Sequence, residues 1–169
     1  MILFFARGEC DSDAFIKYCY SHFVDIMSQA GADYPRAVGI LREHGEKPRF
    51  DKGNAHFSLS HSHGVLMLGI SHSEIGVDIE KIRPVNYEKF SFMEADGERD
   101  FFRKWTERES YLKFTGAGLK EFRQPIPDDA HFEHFDVFDG YDACVCAEEQ
   151  NIRAYEIDIE DVRRANIAD

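Results

Sequence analysis

The stretch Ile75-Gly76-Val77-Asp78-Ile79-Glu80 alternates with period two, and the later stretch Trp105-Thr106-Glu107-Arg108-Glu109-Ser110-Tyr111-Leu112-Lys113 reads as a helix. On a strand, successive side chains take opposite faces, so Val77 and Ile79 point into a core while Asp78 and Glu80 share the other side. On a helix, residues four apart share a face, which puts Glu109 and Lys113 one turn from each other. Together the two segments outline a site in which three acidic groups hold a hard cation and a lysine faces a phosphate.

Each pair also has a plain structural explanation. Asp78 and Glu80 fit the wet face of an amphipathic strand. Glu109 followed by Lys113 is the favoured order for an ordinary helix ion pair, worth about 0.3 to 0.5 kcal/mol. The combination of both segments points to a site.

Working outward, residues 1–6 form an apolar strand, and Asp11, Ser12 and Asp13 offer cap oxygens to a helix carrying Phe15, Ile16, Cys19, Phe23 and Ile26, with Gly31 at its end. A shorter helix is predicted over residues 35–44, opened by Pro35 and closed by Gly45. Pro48 then keeps Lys47 extended. Strands around Phe57 and Leu59, over residues 65–70 and over 75–80 suggest a small antiparallel meander. A helix over residues 96–115 ends at Gly116. Strands follow over 132–138, 143–147 and 152–157, with Asp139-Gly140 as a turn, and a short charged helix starts at Asp158.

At 169 residues the chain has room for one core or for two small halves packed together. A hydrophobic fraction of 43%, with 15 Phe and 7 Tyr, argues against disorder. A formal net charge of -12 argues against a nucleic-acid partner, so an anionic ligand must meet a local basic patch or a metal. Cys10, Cys19, Cys144 and Cys146 form no C-x-x-C pair, no leader-like stretch is evident, and no apolar run approaches the roughly 20 residues that span a bilayer. A cytoplasmic protein with reduced thiols and no membrane partner is expected. His56, His61, His63 and His72 invite a zinc reading, but H-E-x-x-H and finger-spaced cysteines are both missing, so zinc is not expected. Cys144 and Cys146 share one strand face and are expected in the core.

With these segments in place, the chain resembles the phosphopantetheinyl transferases, and more the pseudo-dimeric surfactin-synthetase-activating type than the small trimeric acyl-carrier-protein synthase type. The matching residues are Lys47-Pro48, Phe57-Ser58-Leu59-Ser60-His61-Ser62, Ile75 to Glu80, and Trp105-Thr106 through Glu109, Lys113, Gly116, Gly118 and Leu119. The resemblance implies an α+β fold with two pseudo-twofold halves, each a small antiparallel sheet packed on helices. That is one globular domain with halves of roughly residues 1–72 and 73–169. It also implies transfer of 4'-phosphopantetheine from coenzyme A to a serine of an apo acyl or peptidyl carrier protein, releasing adenosine 3',5'-bisphosphate.

Carried over by motif, Asp78, Glu80 and Glu109 would hold Mg²⁺ against the diphosphate, Glu109 would be the base for the carrier serine, and Lys113 would meet the diphosphate bridge. Ser60 and His61 fall where the family contacts coenzyme A phosphates, and Lys47 and Pro48 where it contacts adenine. Ser60 fits a turn cap equally well. Arg36 and Arg42 are the preferred candidates for the 3'-phosphate, with Lys17 behind them. Glu46 replaces a usual glycine, and Arg108 replaces a usual lysine at what is expected to be a surface position. Phe90, Phe92, Phe101 and Phe102 suit either a carrier-docking patch or the core, with Phe101 and Phe102 assigned to the core. Lys81, Arg83, Lys89, Arg103 and Lys104 suggest a basic rim for an acidic carrier, and a monomer is expected. Two rivals stand beside this reading: a non-catalytic coenzyme A or carrier-binding relative, and a Mg²⁺-dependent diphosphate hydrolase.

Overall fold

Strand β1 (Ile2–Arg7) is apolar on both faces, and the rest of the molecule covers both. The computed structural model describes residues 1–149 and 151–168. After β1 come α1 (Ser12–Gln29), β2 (Ile40–Leu41), β3 (Arg49–Phe50), β4 (His56–Ser62), β5 (Val65–Ser71) and β6 (Ile75–Lys81). A short 3-10 segment then leads to α2 (Glu98–Thr115), β7 (Phe132–Phe135), β8 (Tyr141–Ala147), β9 (Arg153–Glu156) and α3 (Ile159–Ala168). The architecture is mixed α+β, as expected.

One sheet has the order β4-β5-β1-β9, with β1 antiparallel to β5 and parallel to β9. The β4–β5 hairpin turns at His63 and Gly64, both at positive φ (46° and 75°), which matches the twist of the flanking strands. A second sheet has the order β6-β8-β7, antiparallel throughout. Helix α1 starts at Asp11, whose carboxylate accepts the Ala14 N–H at 2.9 Å, and packs Phe15, Ile16, Cys19, Tyr20 and Phe23 against Ile2, Phe4, Leu66 and Leu68. The other face of the first sheet, through Leu3, Phe5, Val65 and Met67, meets Ile75, Val77, Ile79, Ala143 and Val145 of the second. Helix α2 covers the remaining face of the second sheet. The order of layers is therefore helix, sheet, sheet, helix.

Two expectations are corrected. Residues 35–44 form no helix. Val38 and Phe50 are buried in the first core, Gly39 donates its N–H to Asp51 Oδ1 at 2.7 Å, and Ile40 pairs with Phe50 across β2 and β3. Tertiary burial of β-branched residues around a glycine overrides the weak helical propensity there. The meander is likewise not formed, because β5 is already flanked by β4 and β1, and β6 pairs with β8 instead. The strand predicted over 152–157 is β9, which returns to β1, while Ile159 and Val162 of α3 join the first core. No described helix is long and apolar enough to cross a membrane.

Candidate functional site

The interface between α2 and β6 is unusually polar. Thr106 and Ser110 are fully buried beneath α2, and Gly76 on β6 lets the helix backbone approach the strand directly. Asp78 and Glu80 lie on the same side as Gly76, and Glu109 and Lys113 come down from the helix. Lys113 Nζ donates to Asp78 Oδ1 at 2.6 Å, and the Ser60 hydroxyl donates to the same oxygen at 2.7 Å. Asp78 Oδ2 is buried without a hydrogen-bond partner. Burial pushes the Asp78 carboxyl up, against the pull of Lys113 and Ser60. The half-buried Glu109 is also raised, first by burial and then by the negative charges of Asp78 and Glu80.

These three carboxylates therefore feel one another, yet among the described residues no three Asp, Glu, His or Cys side chains stand as a ready-made metal centre. Like charges repel, and each nearby donor takes a carboxylate: Ser60 and Lys113 hold Asp78, and Ser62 holds Glu80 Oε2 at 2.8 Å. The donor set still fits a hard cation. All three groups offer oxygen, and Asp78 Oδ2 is an orphaned buried carboxylate oxygen of the kind that calls for a cation or a donor.

Beside this interface lies a cleft of about 420 Å³ between α1, the segment before β3, β4 and α2, lined by Arg42, Lys47, Pro48, Leu59, His61 and Lys113 among others. A second hollow of about 320 Å³ shares Lys47, Pro48 and Lys113 and adds Glu109, Gly116 and Gly118. Three cations of the groove are each paired internally. Lys47 Nζ reaches Glu74 Oε2 and the Ile75 carbonyl, both at 2.7 Å, Arg42 pairs with Asp13, and Lys113 pairs with Asp78.

The 4'-phosphopantetheinyl transferase ffp of Bacillus subtilis is 31% identical over 137 residues, covering 63% of this chain and 61% of that protein. A second 4'-phosphopantetheinyl transferase of Bacillus subtilis is 29% identical over 122 residues, covering 62% of the chain and 51% of its own length. By sequence, the chain is similar to phosphopantetheinyl transferases over part of their length. The 4'-phosphopantetheinyl transferase HetI of Nostoc sp. is 30% identical over 92 residues, covering 45% and 39%. The chain thus spans about two fifths to three fifths of these relatives' lengths. No family model matches it.

Of the residues singled out by the phosphopantetheinyl transferase motifs, the structure gathers Lys47, Pro48, His61, Lys113 and Glu109 around the groove, with Arg42 at its wall. Arg36 stands apart, exposed and paired with Asp25 at 2.6 Å. Ser60 does not line the cleft but points at Asp78. Arg108 is not a free surface residue: its guanidinium donates to the Phe122 and Gln124 carbonyls and lies over Phe92. Phe101 and Phe102 are buried, and Phe90 and Phe92 pack partly buried against them. Cys144 and Cys146 are buried and free, their thiols raised by burial.

Sequence reasoning missed two features of this region. One is the pairing of the β4 serines Ser58, Ser60 and Ser62 with the backbone of β6. The other is His134 on β7, whose Nδ1 lies 3.1 Å from Asp142 Oδ2 and whose Nε2 lies 3.0 Å from Glu107 Oε1. The Thr106 hydroxyl also donates to Asp142. A lone histidine carries no local signal, and its partners lie on two other elements.

Proposed function

We propose that the chain transfers 4'-phosphopantetheine from coenzyme A to a serine of an apo acyl or peptidyl carrier protein in a Mg²⁺-dependent reaction, releasing adenosine 3',5'-bisphosphate. The observation that carries this reading is the convergence of Lys47, Pro48, His61 and Lys113, from three distant segments, on one cleft beside Asp78 and Glu109. The cations suit a diphosphate and a 3'-phosphate, and the Pro48 ring with the Lys47 stem gives an apolar wall for a flat base. Arg42 is the better placed of the two arginines for the 3'-phosphate.

The serine oxygen forms a bond to the β-phosphorus of coenzyme A while the bond from that phosphorus to the bridging oxygen breaks. Glu109, as a carboxylate made more basic by burial, takes the serine proton. Lys113 faces the charge that develops on the leaving bisphosphate. Asp78, Glu80 and Glu109 would hold the Mg²⁺, which when bound neutralises diphosphate charge.

The two halves also suit a pseudo-twofold pair. Strand, helix and antiparallel hairpin occur as β1-α1-β4-β5 and again as β6-α2-β7-β8, with matching orders β4-β5-β1 and β7-β8-β6. In this reading the repeat covers residues 2–71 and 75–147, and β9 and α3 are an addition to the first half. A cytoplasmic monomer is part of the same proposal.

The test is incubation with coenzyme A, Mg²⁺ and several apo carriers, followed by mass spectrometry. One added phosphopantetheine is the expected product, and no carrier gaining it would overturn the reading. Glu109→Ala is expected to slow transfer by about 100-fold, the usual contribution of a general base. The engaged state of the carboxylates favours one alternative, a relative that binds coenzyme A without turnover. Tight binding indifferent to Mg²⁺, with no transfer, would establish it.

A carrier is expected to meet the exposed Arg83, stacked 5.1 Å over the Phe102 ring, and the exposed Lys89. Reversing both charges (Arg83→Glu with Lys89→Glu) should weaken carrier binding about tenfold at low salt and change coenzyme A affinity little. Unaltered carrier affinity in a calorimetric titration would remove that surface from consideration.

A further inference from the structure

Strands β4 and β6 are edge strands of different sheets, and each leaves one row of backbone groups unpaired by its own sheet. Along β6, the N–H groups of Val77, Ile79 and Lys81 point off that open edge. Each finds a serine hydroxyl on β4: Ser58 Oγ accepts from Val77 at 3.0 Å, Ser60 Oγ from Ile79 at 3.3 Å and Ser62 Oγ from Lys81 at 3.2 Å. Two matched alternations with period two thus zip the sheets together through side chains.

A hydroxyl that accepts a bond keeps its own proton to give. Ser60 gives it to Asp78 Oδ1 at 2.7 Å and Ser62 to Glu80 Oε2 at 2.8 Å. In each case the serine binds the amide of one β6 residue and the carboxylate of the residue before it. At the third rung the preceding residue is Gly76, so Ser58 has no carboxylate to aim. The three serines therefore share one bridging duty, and only two of them carry a second.

We propose that Ser60 and Ser62 are positioning residues that fix the orientation of Asp78 and Glu80 toward a divalent cation. Asp78 is held through Oδ1 and presents the unpartnered Oδ2, which is the arrangement a cation ligand requires. Glu80 is held through Oε2, with Arg83 3.7 Å from the same oxygen. His63 Nδ1 lies 3.0 Å from the Ser62 hydroxyl and steadies that rung. This assignment rests on the cation site proposed above and adds the reason why two of its carboxylates sit on one strand opposite serines.

The rungs supply their own control. Ser58→Ala and Ser60→Ala each remove one inter-sheet hydrogen bond, and each is expected to lower Tm by about 2 to 4 °C. Binding of Mn²⁺ in the presence of coenzyme A, followed by the loss of its free electron-spin signal, separates the duties. Ser60→Ala is expected to weaken Mn²⁺ binding about tenfold, Ser62→Ala by a similar factor, Ser58→Ala by less than about twofold, and Ser60→Thr is expected to restore it. Equal Mn²⁺ affinity in Ser58→Ala and Ser60→Ala, with wild-type protein binding normally, would overturn the positioning role alone. Absence of Mn²⁺ binding by the wild-type protein would overturn the cation site itself, and this inference with it.

Discussion

Gly76→Ala is expected to lose about 3 kcal/mol of stability or more and to abolish transfer. A Cβ at this position would stand 1.8 Å from Ser110 O and 2.4 Å from Phe114 N. Both are backbone atoms of α2, so no side chain can swing aside to make room. The helix would have to lift by roughly 1 to 2 Å to reach ordinary contact distance. Forcing volume into a packed interface costs about 1 to 3 kcal/mol, and more where backbone must move. Here the lifted helix also loosens the buried Phe101, Phe102, Thr106, Ser110 and Leu112. The same displacement carries Glu109 and Lys113 away from Asp78, and a misplacement of about 1 Å is enough to cost about 100-fold in rate. Urea melts and the carrier assay measure the two effects. Gly116→Ala is the contrast: that glycine caps α2 in open space at φ 72°, so the change costs only left-handed strain, about 1 kcal/mol. Melts of Gly76→Ala within about 2 °C of wild type would show that the helix does not approach as described.

That contact also shows which parts of the molecule local pattern can reveal. The alternation in residues 75–80 and the helical spacing of α2 are local, and both elements form where they were predicted. The same holds for α1 with its Asp11 cap and for the charged final helix. Which strand β6 would pair with is a non-local matter, decided by β5 already having two neighbours, so the meander was misread. Residues 35–44 carry helix punctuation at both ends, but Val38 is drawn into the core and the Gly39–Asp51 bond turns the chain. Motif spacing singled out Lys47, His61, Glu109 and Lys113, which the structure sets around one groove, whereas only the fold shows that Arg42 lies at that groove and Arg36 apart from it. The serine row was visible as Ser58, Ser60 and Ser62 with period two, matched by Gly76, Asp78 and Glu80. Only the register between the two sheets gives it meaning, and register across separate sheets leaves no mark in a single sequence.

His134→Ala is expected to cost about 2 to 3 kcal/mol near pH 6, with a loss that shrinks at high pH. Each ring nitrogen of His134 faces a carboxylate oxygen, so both must carry protons, and the ring is a fixed imidazolium joining β7, β8 and α2. Burial by itself would lower the His134 pKa, but the bonds to Asp142 and Glu107 outweigh it and push the value up to about 11. A folded-state value above the unfolded one near 6.5 means that His134 stabilises fully below about pH 6.5 and progressively loses that contribution as pH rises toward 11. Asp142 works in the opposite sense. Burial would raise its carboxyl, but His134 and Thr106 hold it below its ordinary 3.8, so its contribution is present above that value and fades as pH falls. The pair is therefore at full strength between about pH 4 and pH 6.5. Removing the imidazole leaves Glu107 and Asp142 facing each other with only Arg103, 3.9 Å from Glu107 Oε1, to offset their charge. Breaking a buried pair costs about 3 to 5 kcal/mol, and the partial exposure of Glu107, at 28%, brings the expectation down. Urea melts of wild type and His134→Ala at pH 6 and pH 10 check this. The two stability curves should converge toward the alkaline end, and curves that stay parallel from pH 6 to pH 10 would mean that the imidazolium does not hold α2 to the sheet through its charge.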